Sequence, residues 1–245
     1  MELQLISYRD YIGGKSNKIF QFSVYGKNRD QSLLEWQKKV FDKFGRPINQ
    51  IYIPFEQGYS HGQGIDLVLN NAFSQISDID YVIIWDDDAI PLRRDYLEIA
   101  FDKIKYKDTI FGNVEQSNHI KKFDGTYNHP YIGTSPFCIS VELLKKLGYP
   151  SFDHCNEGDR AEKICLLAEE NGYCLSMVWP SNVIGLNEEE MIQTKTPTSK
   201  SLLGQNRYFG FGVTYGENFS YHQMCAPAKR HSELFIKKCQ EVLNG

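Results

Sequence analysis

The sequence predicts an α/β fold: a single domain whose mostly parallel central sheet is flanked by helices and followed by an irregular C-terminal region. Three observations carry this. Tyr81-Val82-Ile83-Ile84-Trp85 is an unbroken apolar run of strand length, the pattern of a strand buried on both faces of a sheet. Over residues 19–85 strand-like and helix-like patterns alternate as β, α, β, α, β, the order that builds parallel sheets through right-handed crossovers. The chain has 245 residues, 41% hydrophobic and 24% charged, enough to bury a substantial core, and neither an internal repeat nor a linker divides it.

In chain order, residues 19–26 read as a first strand ending at a glycine turn. Asp30 suits the N-cap of the following helix, in which Leu33, Leu34, Val40, Phe41 and Phe44 share one face, and Gly45 with Pro47 stops it. Residues 51–55 form a second strand, with Pro54 near an edge or loop. Residues 58–64 are a polar, glycine-rich loop leading into a helix whose apolar stripe is Ile65, Val68, Leu69, Ala72, Phe73 and Ile76. The strand at 81–85 follows. Further helices are expected at 96–104, 142–147, 159–171 and 232–243, and strands at 111–114, 137–140 and 174–178. Residues 188–221 are polar and aperiodic, which predicts a long lid or binding loop.

Composition narrows the function. A formal net charge of -4 supplies no basic field for nucleic acid. Tyr and Phe number 15 each, and most are expected in the core. No apolar run reaches membrane-spanning length and the amino terminus lacks a secretory pattern, so a soluble, cytoplasmic protein is expected. The six cysteines form no C-x-x-C pair, which points to reduced structural thiols rather than a zinc site.

The chemistry lies directly after the apolar strand, in Asp86-Asp87-Asp88. Three adjacent carboxylates repel one another strongly in a dry site, and a bound cation relieves this. Hard oxygen ligands select Mg²⁺, Mn²⁺ or Ca²⁺. The carboxyl ends of strands in open α/β sheets are where ligands bind. A solvated acidic turn is the competing reading, and Pro91 supports a turn here. Asn156-Glu157-Gly158-Asp159 is ambiguous in the same way: it suits a helix cap or a general base, and the helix dipole favours an ionised Asp159 under either reading.

Four segments in order resemble the GT-A class of nucleotide-sugar glycosyltransferases, in its DxD-containing, family-2-like form. They are the strand with Asp86 and Asp88, the glycine-then-helix element at 61–72, the run Gly133-Thr134-Ser135-Pro136 through Gly148, and Glu157-Gly158-Asp159 with its helix. The likeness spans roughly residues 19–180. It implies a single GT-A-like, Rossmann-like domain with a nucleotide-sugar-binding half at 19–92, an acceptor and catalytic half at 109–180, and a lid loop and C-terminal helix at 188–245.

It further implies that Asp88 binds Mn²⁺ or Mg²⁺, that Asp86 reaches the metal or ribose, and that Asp87 orients the nucleotide. Ser23 and Tyr25 would contact the base or ribose, and His61, Gly64 and Asp66 the nucleotide side of the donor. Asp159 would be the general base, which implies inversion. Relatives use a late histidine as a third ligand, and His222 is the candidate ahead of His154 and His231. The implied partners are a nucleotide-sugar donor, preferably UDP-linked, and a saccharide or glycoconjugate acceptor. Phe55-Glu56-Gln57 replaces a paired-aspartate turn, and the glycine element lacks a helix arginine, so the match is incomplete.

Lys195, Lys200 and Arg207 are candidates to clamp a diphosphate under a closing lid, with a solvated loop as the alternative. The cluster Lys229-Arg230-His231 suits a helix start, or peripheral contact with an anionic membrane surface. Three other functions remain open at this level: a sugar-1-phosphate nucleotidyltransferase, a catalytically silent nucleotide-sugar-binding protein and a Ca²⁺-binding module. The first would need a basic glycine-rich loop after the first strand, and Val24-Tyr25-Gly26-Lys27-Asn28-Arg29 fits that poorly.

Overall fold

The computed structural model describes residues 3–9, 16–117, 129–154, 160–184, 212–223 and 229–245. Its main sheet has seven strands. They are β1 (Ile6–Arg9), β2 (Ser16–Tyr25), β3 (Asn49–Tyr52), β4 (Tyr81–Asp86), β6 (Thr109–Gln116), β7 (Pro130–Ser140) and β8 (Cys174–Val178). The order is β1-β2-β4-β7-β6-β8, with β3 also paired to β2. Strands β2, β3, β4, β6 and β8 run one way, and β1 and β7 the other. The protein is thus mixed α/β with a mostly parallel central sheet, as expected.

Strand β4 shows why the apolar run is unbroken. Its Tyr81, Ile83 and Trp85 enter one core layer, with α1 (Gln31–Lys43), α3 (Tyr96–Ile104) and α6 (Lys229–Asn244). Its Val82 and Ile84 enter the opposite layer, with α2 (His61–Gln75), α4 (Val141–Lys146) and α5 (Glu162–Glu170). Strand alternation therefore feeds both layers from one run. Helix α1 starts where Asp30 accepts a hydrogen bond from Ser32 N at 2.9 Å, and it stops before Gly45 at φ 67.

Several elements differ from expectation. Helix α2 begins at His61, because Ser60 and Gln63 form a capping box; residues 61–64 are its first turn rather than a loop. Strand β3 spans Asn49–Tyr52 and gives way to a 3-10 turn at Phe55–Gln57. The stretch 130–140 is one long strand, where a loop and a short strand were expected. The region read as a long polar loop contains β10 (Gly212–Tyr215) and the start of β11 (Ser220–Gln223). These strands join β5 (Ala89–Pro91) and β9 (Pro180–Ile184) in a second, antiparallel sheet ordered β5-β11-β10-β9. The remainder of the expected lid, with Lys195, Lys200 and Arg207, lies outside the described residues.

Cys138, Cys165 and Cys239 are buried, and burial pushes their thiols up, Cys165 to about 12, which keeps them protonated and inert. No described helix is long and apolar enough to cross a membrane.

Candidate metal centre

The site forms where the two sheets meet. Strand β4 ends at Asp86, Asp87 and Asp88 make a turn, and the chain re-enters a sheet as β5. Strand β5 is too short to stand alone, and β11 holds it: Ala89, Ile90 and Pro91 pair with His222, Tyr221 and Ser220. The ladder extends one step further, since Gln223 N donates to Asp88 O at 2.9 Å. This register sets His222 against the acidic turn across 134 residues of sequence. Asn113 on β6 locks the junction by donating from Nδ2 to Ser135 O and accepting from Ser220 Oγ at 3.0 Å.

Asp86, Asp88 and His222 each offer a ligand atom within 4.8 Å of the others, a group that can hold a metal ion. His222 Nε2 lies 3.1 Å from Asp88 Oδ1 and 3.4 Å from Asp86 Oδ2. Two carboxylates and one imidazole form a mixed oxygen and nitrogen donor set that a divalent ion can take. Thr134 Oγ1 donates to Asp86 Oδ1 at 3.0 Å, and Ser135 Oγ accepts from Asp86 N at 3.0 Å, so β7 aims the first carboxylate. His61 Nε2 stands 3.4 Å from Asp86 Oδ1, while its buried Nδ1 has no partner among the described residues.

Burial and charge divide the roles of these groups. Burial would raise the Asp88 carboxyl, but the hydrogen bond from His222 and the Arg29 guanidinium outweigh it and hold Asp88 well below the usual carboxylate range. Burial dominates at Asp87 and pushes it up, although Arg29 opposes this. Burial would lower His222, yet the hydrogen bond to Asp88 raises it to about 9. His61 is lowered by burial, only partly offset by Asp86.

The sequence-derived candidates separate on this geometry. Asp86, Asp88 and His222 come together, and Asp87 lies beside them in an ion pair with Arg29. Tyr25 sits at the end of β2 with its ring 5.9 Å from that of Tyr52.

Ser23, expected at the donor, is fully buried and donates to Gln37 Oε1 at 3.2 Å, because its position in β2 turns it toward α1. Gly64 is a packing residue that lets α2 lie against Ile53 and Phe55. Asp66 accepts from Phe152 N at 2.9 Å and from Ser151 Oγ, so it anchors the segment before residue 153. His154 is exposed and pairs with its neighbour Asp153. Asp159 and the side chain of His231 lie outside the described residues.

Sequence reasoning passed over four contributors. Arg29, Gln37, Thr134 and Glu115 were assigned no role at the acidic turn, and they reach it from the β2–α1 connection, α1, β7 and β6, which only tertiary structure brings together. Glu115 is the fourth carboxyl facing this region: burial raises it, with Asp86 adding and His222 and Arg160 opposing. Tyr131 Oη donates to its Oε2 at 3.0 Å, and Gly133 leaves room for its carboxylate, which a Cβ there would overlap.

No protein-family model matches the chain, and no curated protein sequence matches it.

Proposed function

We propose that this protein is a divalent-cation-dependent glycosyltransferase of GT-A type. It would move a sugar from a nucleoside-diphosphate donor, UDP-linked by preference, to a hydroxyl of a saccharide or glycoconjugate, with inversion. The observation that carries this reading is the convergence of Asp86 and Asp88, at the carboxyl end of a central strand, with His222 from a remote strand. The mixed sheet, with β7 antiparallel between β4 and β6, is compatible with such a domain.

In this reading Asp86, Asp88 and His222 hold Mn²⁺ or Mg²⁺, which when bound supplies Lewis acidity to the departing diphosphate. Thr134 keeps Asp86 in its rotamer through the 3.0 Å hydrogen bond, so the ligand set is pre-oriented. Tyr25 and Tyr52 supply aromatic surface at the ends of β2 and β3, where a base would lie. Asp159 takes the proton from the attacking hydroxyl oxygen, which makes that oxygen nucleophilic.

Calorimetric titration with UDP, with and without Mn²⁺, is the direct test. Binding that requires Mn²⁺ is expected, followed by UDP-sugar hydrolysis and by transfer with an inverted anomeric centre in the product NMR spectrum. No binding of UDP, GDP, CMP or dTDP under either condition would overturn the proposal. Metal-dependent binding without hydrolysis or transfer would leave a nucleotide-sugar-binding protein.

Proton competition adds a second expectation. A histidine raised from 6.5 to about 9 must shed its proton before it ligates a metal. Mn²⁺ affinity should therefore strengthen as pH rises from about 6.5 to about 9, by up to about tenfold per unit, and then level off. Electron paramagnetic resonance of free Mn²⁺ across that range measures it; a flat profile would exclude His222 as a ligand.

A further inference from the structure

The β2–α1 connection carries a cation that the proposed metal set does not use. Arg29 is fixed from both sides: its N donates to Gly26 O at 3.1 Å, and the next residue, Asp30, caps α1. Its side chain is only 10% exposed, and Nη2 alone pairs with both Asp87 and, at 2.9 Å, Asp88 Oδ2. Asp88 thus divides its oxygens, Oδ1 toward His222 and Oδ2 toward Arg29.

A guanidinium carries five donors in a planar fork, and its Nε lies on the same edge as Nη2. Here Nε is buried with no partner among the described residues. A buried donor left unpaired is costly, which marks Nε as a donor awaiting an acceptor. Both N–H groups of Nη2 are committed to Asp87 and Asp88, so the donor left for a phosphate oxygen on that edge is Nε, through a single charge-assisted hydrogen bond.

Charge points the same way. Asp86, Asp87 and Asp88 crowd one turn, and Glu115 faces it from β6. A diphosphate brought to this turn adds to its negative charge, and a permanent cation in contact with the turn, beside the more distant Arg160, lowers that repulsion. Burial alone would lower the proton affinity of Arg29, but Asp88 and Asp87 more than reverse this, and it stays charged.

We propose that Arg29 is a cation of the donor site, a binding residue that tethers Asp87 and Asp88 through Nη2 and presents its Nε–H to the diphosphate of the ligand. This deepens the glycosyltransferase reading and rests on its metal site. The role predicts effects of opposite sign. Removing Arg29 lifts a positive charge from Asp88, so Mn²⁺ alone binds as well as before or more tightly. The diphosphate loses a charge-assisted contact, so it binds about tenfold more weakly or worse.

The test compares the full-length protein with Arg29→Gln and Arg29→Lys. Free Mn²⁺ is counted by electron paramagnetic resonance, and inorganic pyrophosphate is titrated calorimetrically in saturating Mn²⁺. Arg29→Gln is expected to weaken pyrophosphate with Mn²⁺ affinity unchanged or raised. Arg29→Lys keeps a counter-ion for the aspartates, and it should hold Mn²⁺ affinity and lose several-fold in pyrophosphate, which decides the matter if the glutamine variant does not fold. Unchanged pyrophosphate affinity, or a parallel loss of Mn²⁺ affinity, would overturn the role of Arg29 while leaving the metal site standing. A wild-type protein that binds no Mn²⁺ would overturn the glycosyltransferase reading and this inference with it.

Discussion

Asp88→Ala is expected to abolish Mn²⁺-dependent UDP binding and to cut sugar transfer by at least about 10²–10³-fold, the scale seen when one electrostatic stabiliser is removed. Asp88 is 5% exposed and serves His222 through one oxygen and Arg29 through the other. Its carbonyl accepts from Gln223 N, and alanine keeps that bond, so the junction of the sheets survives the substitution. What disappears is the charge that two cationic partners share.

Stability should fall as well, by about 3–5 kcal/mol, because removing one member of a buried ionic cluster strands the others. Asp88 has a depressed pKa, so its contribution is present above the ordinary value of 3.8 and fades as pH falls toward the lower folded value. His222 is raised, so its contribution is complete below 6.5 and is lost as pH climbs through about 9. The thermal penalty of Asp88→Ala should therefore be largest between about pH 4 and 6.5 and shrink toward pH 9. Asp88→Asn separates the two effects: it keeps shape and an acceptor for His222, so it should unfold closer to wild type yet still lose Mn²⁺. Retained metal-dependent UDP binding in Asp88→Ala would show that the metal is held elsewhere.

Local patterns made much of the frame legible. The strand at β4, the cap at Asp30, helix α3 and strand β8 lie where periodicity and capping residues put them, because each is decided by neighbours in sequence. The second sheet was not legible. Strands β5, β10 and β11 are three or four residues long; β10 and β11 form a short hairpin, and it is the distant pairing of β11 with β5 that completes the sheet. A three-residue run such as Ala89-Ile90-Pro91 beside aspartates reads equally well as a turn.

The same non-locality governed the site. Asp86 and Asp88 announce themselves by adjacency to an apolar run. His222 could be named as a candidate but not placed, since its position depends on the pairing of β11 with β5. The partners of Asp66 were hidden for a related reason: Ser151 and Phe152 donate to it from 85 and 86 residues away, and only tertiary structure reveals them.

Gln37 is the extreme case, a polar residue in an amphipathic helix with no sequence signal, and substituting it should have the second largest effect. It is fully buried on α1 and forms four hydrogen bonds. Nε2 donates to Asp86 O at 2.7 Å and Ala89 O at 2.9 Å, bracketing the aspartate turn. Oε1 accepts from Ser23 Oγ at 3.2 Å and Gln50 Nε2 at 2.9 Å. The orientation of the amide is unambiguous, because two carbonyls can only accept. Gln37→Glu changes one group: it keeps the acceptor for Ser23 and Gln50 and replaces the double donor with oxygen.

Two buried carbonyls then lose their donors, at about 1–3 kcal/mol each, and a new negative charge faces Asp86. A loss of about 2–6 kcal/mol is expected, or roughly 5–20 °C in Tm for a chain of this size. A protonated carboxyl can restore one donor, so the loss should deepen as pH rises and the introduced group ionises. Mn²⁺ affinity should fall with it, since the turn that aims Asp86 and Asp88 is no longer held. Thermal melts at pH 5 and pH 8, paired with Mn²⁺ titrations, check both statements. A variant that melts like wild type at pH 8 would show that the turn is fixed by the β5–β11 pairing alone and that α1 plays no part in shaping the metal centre.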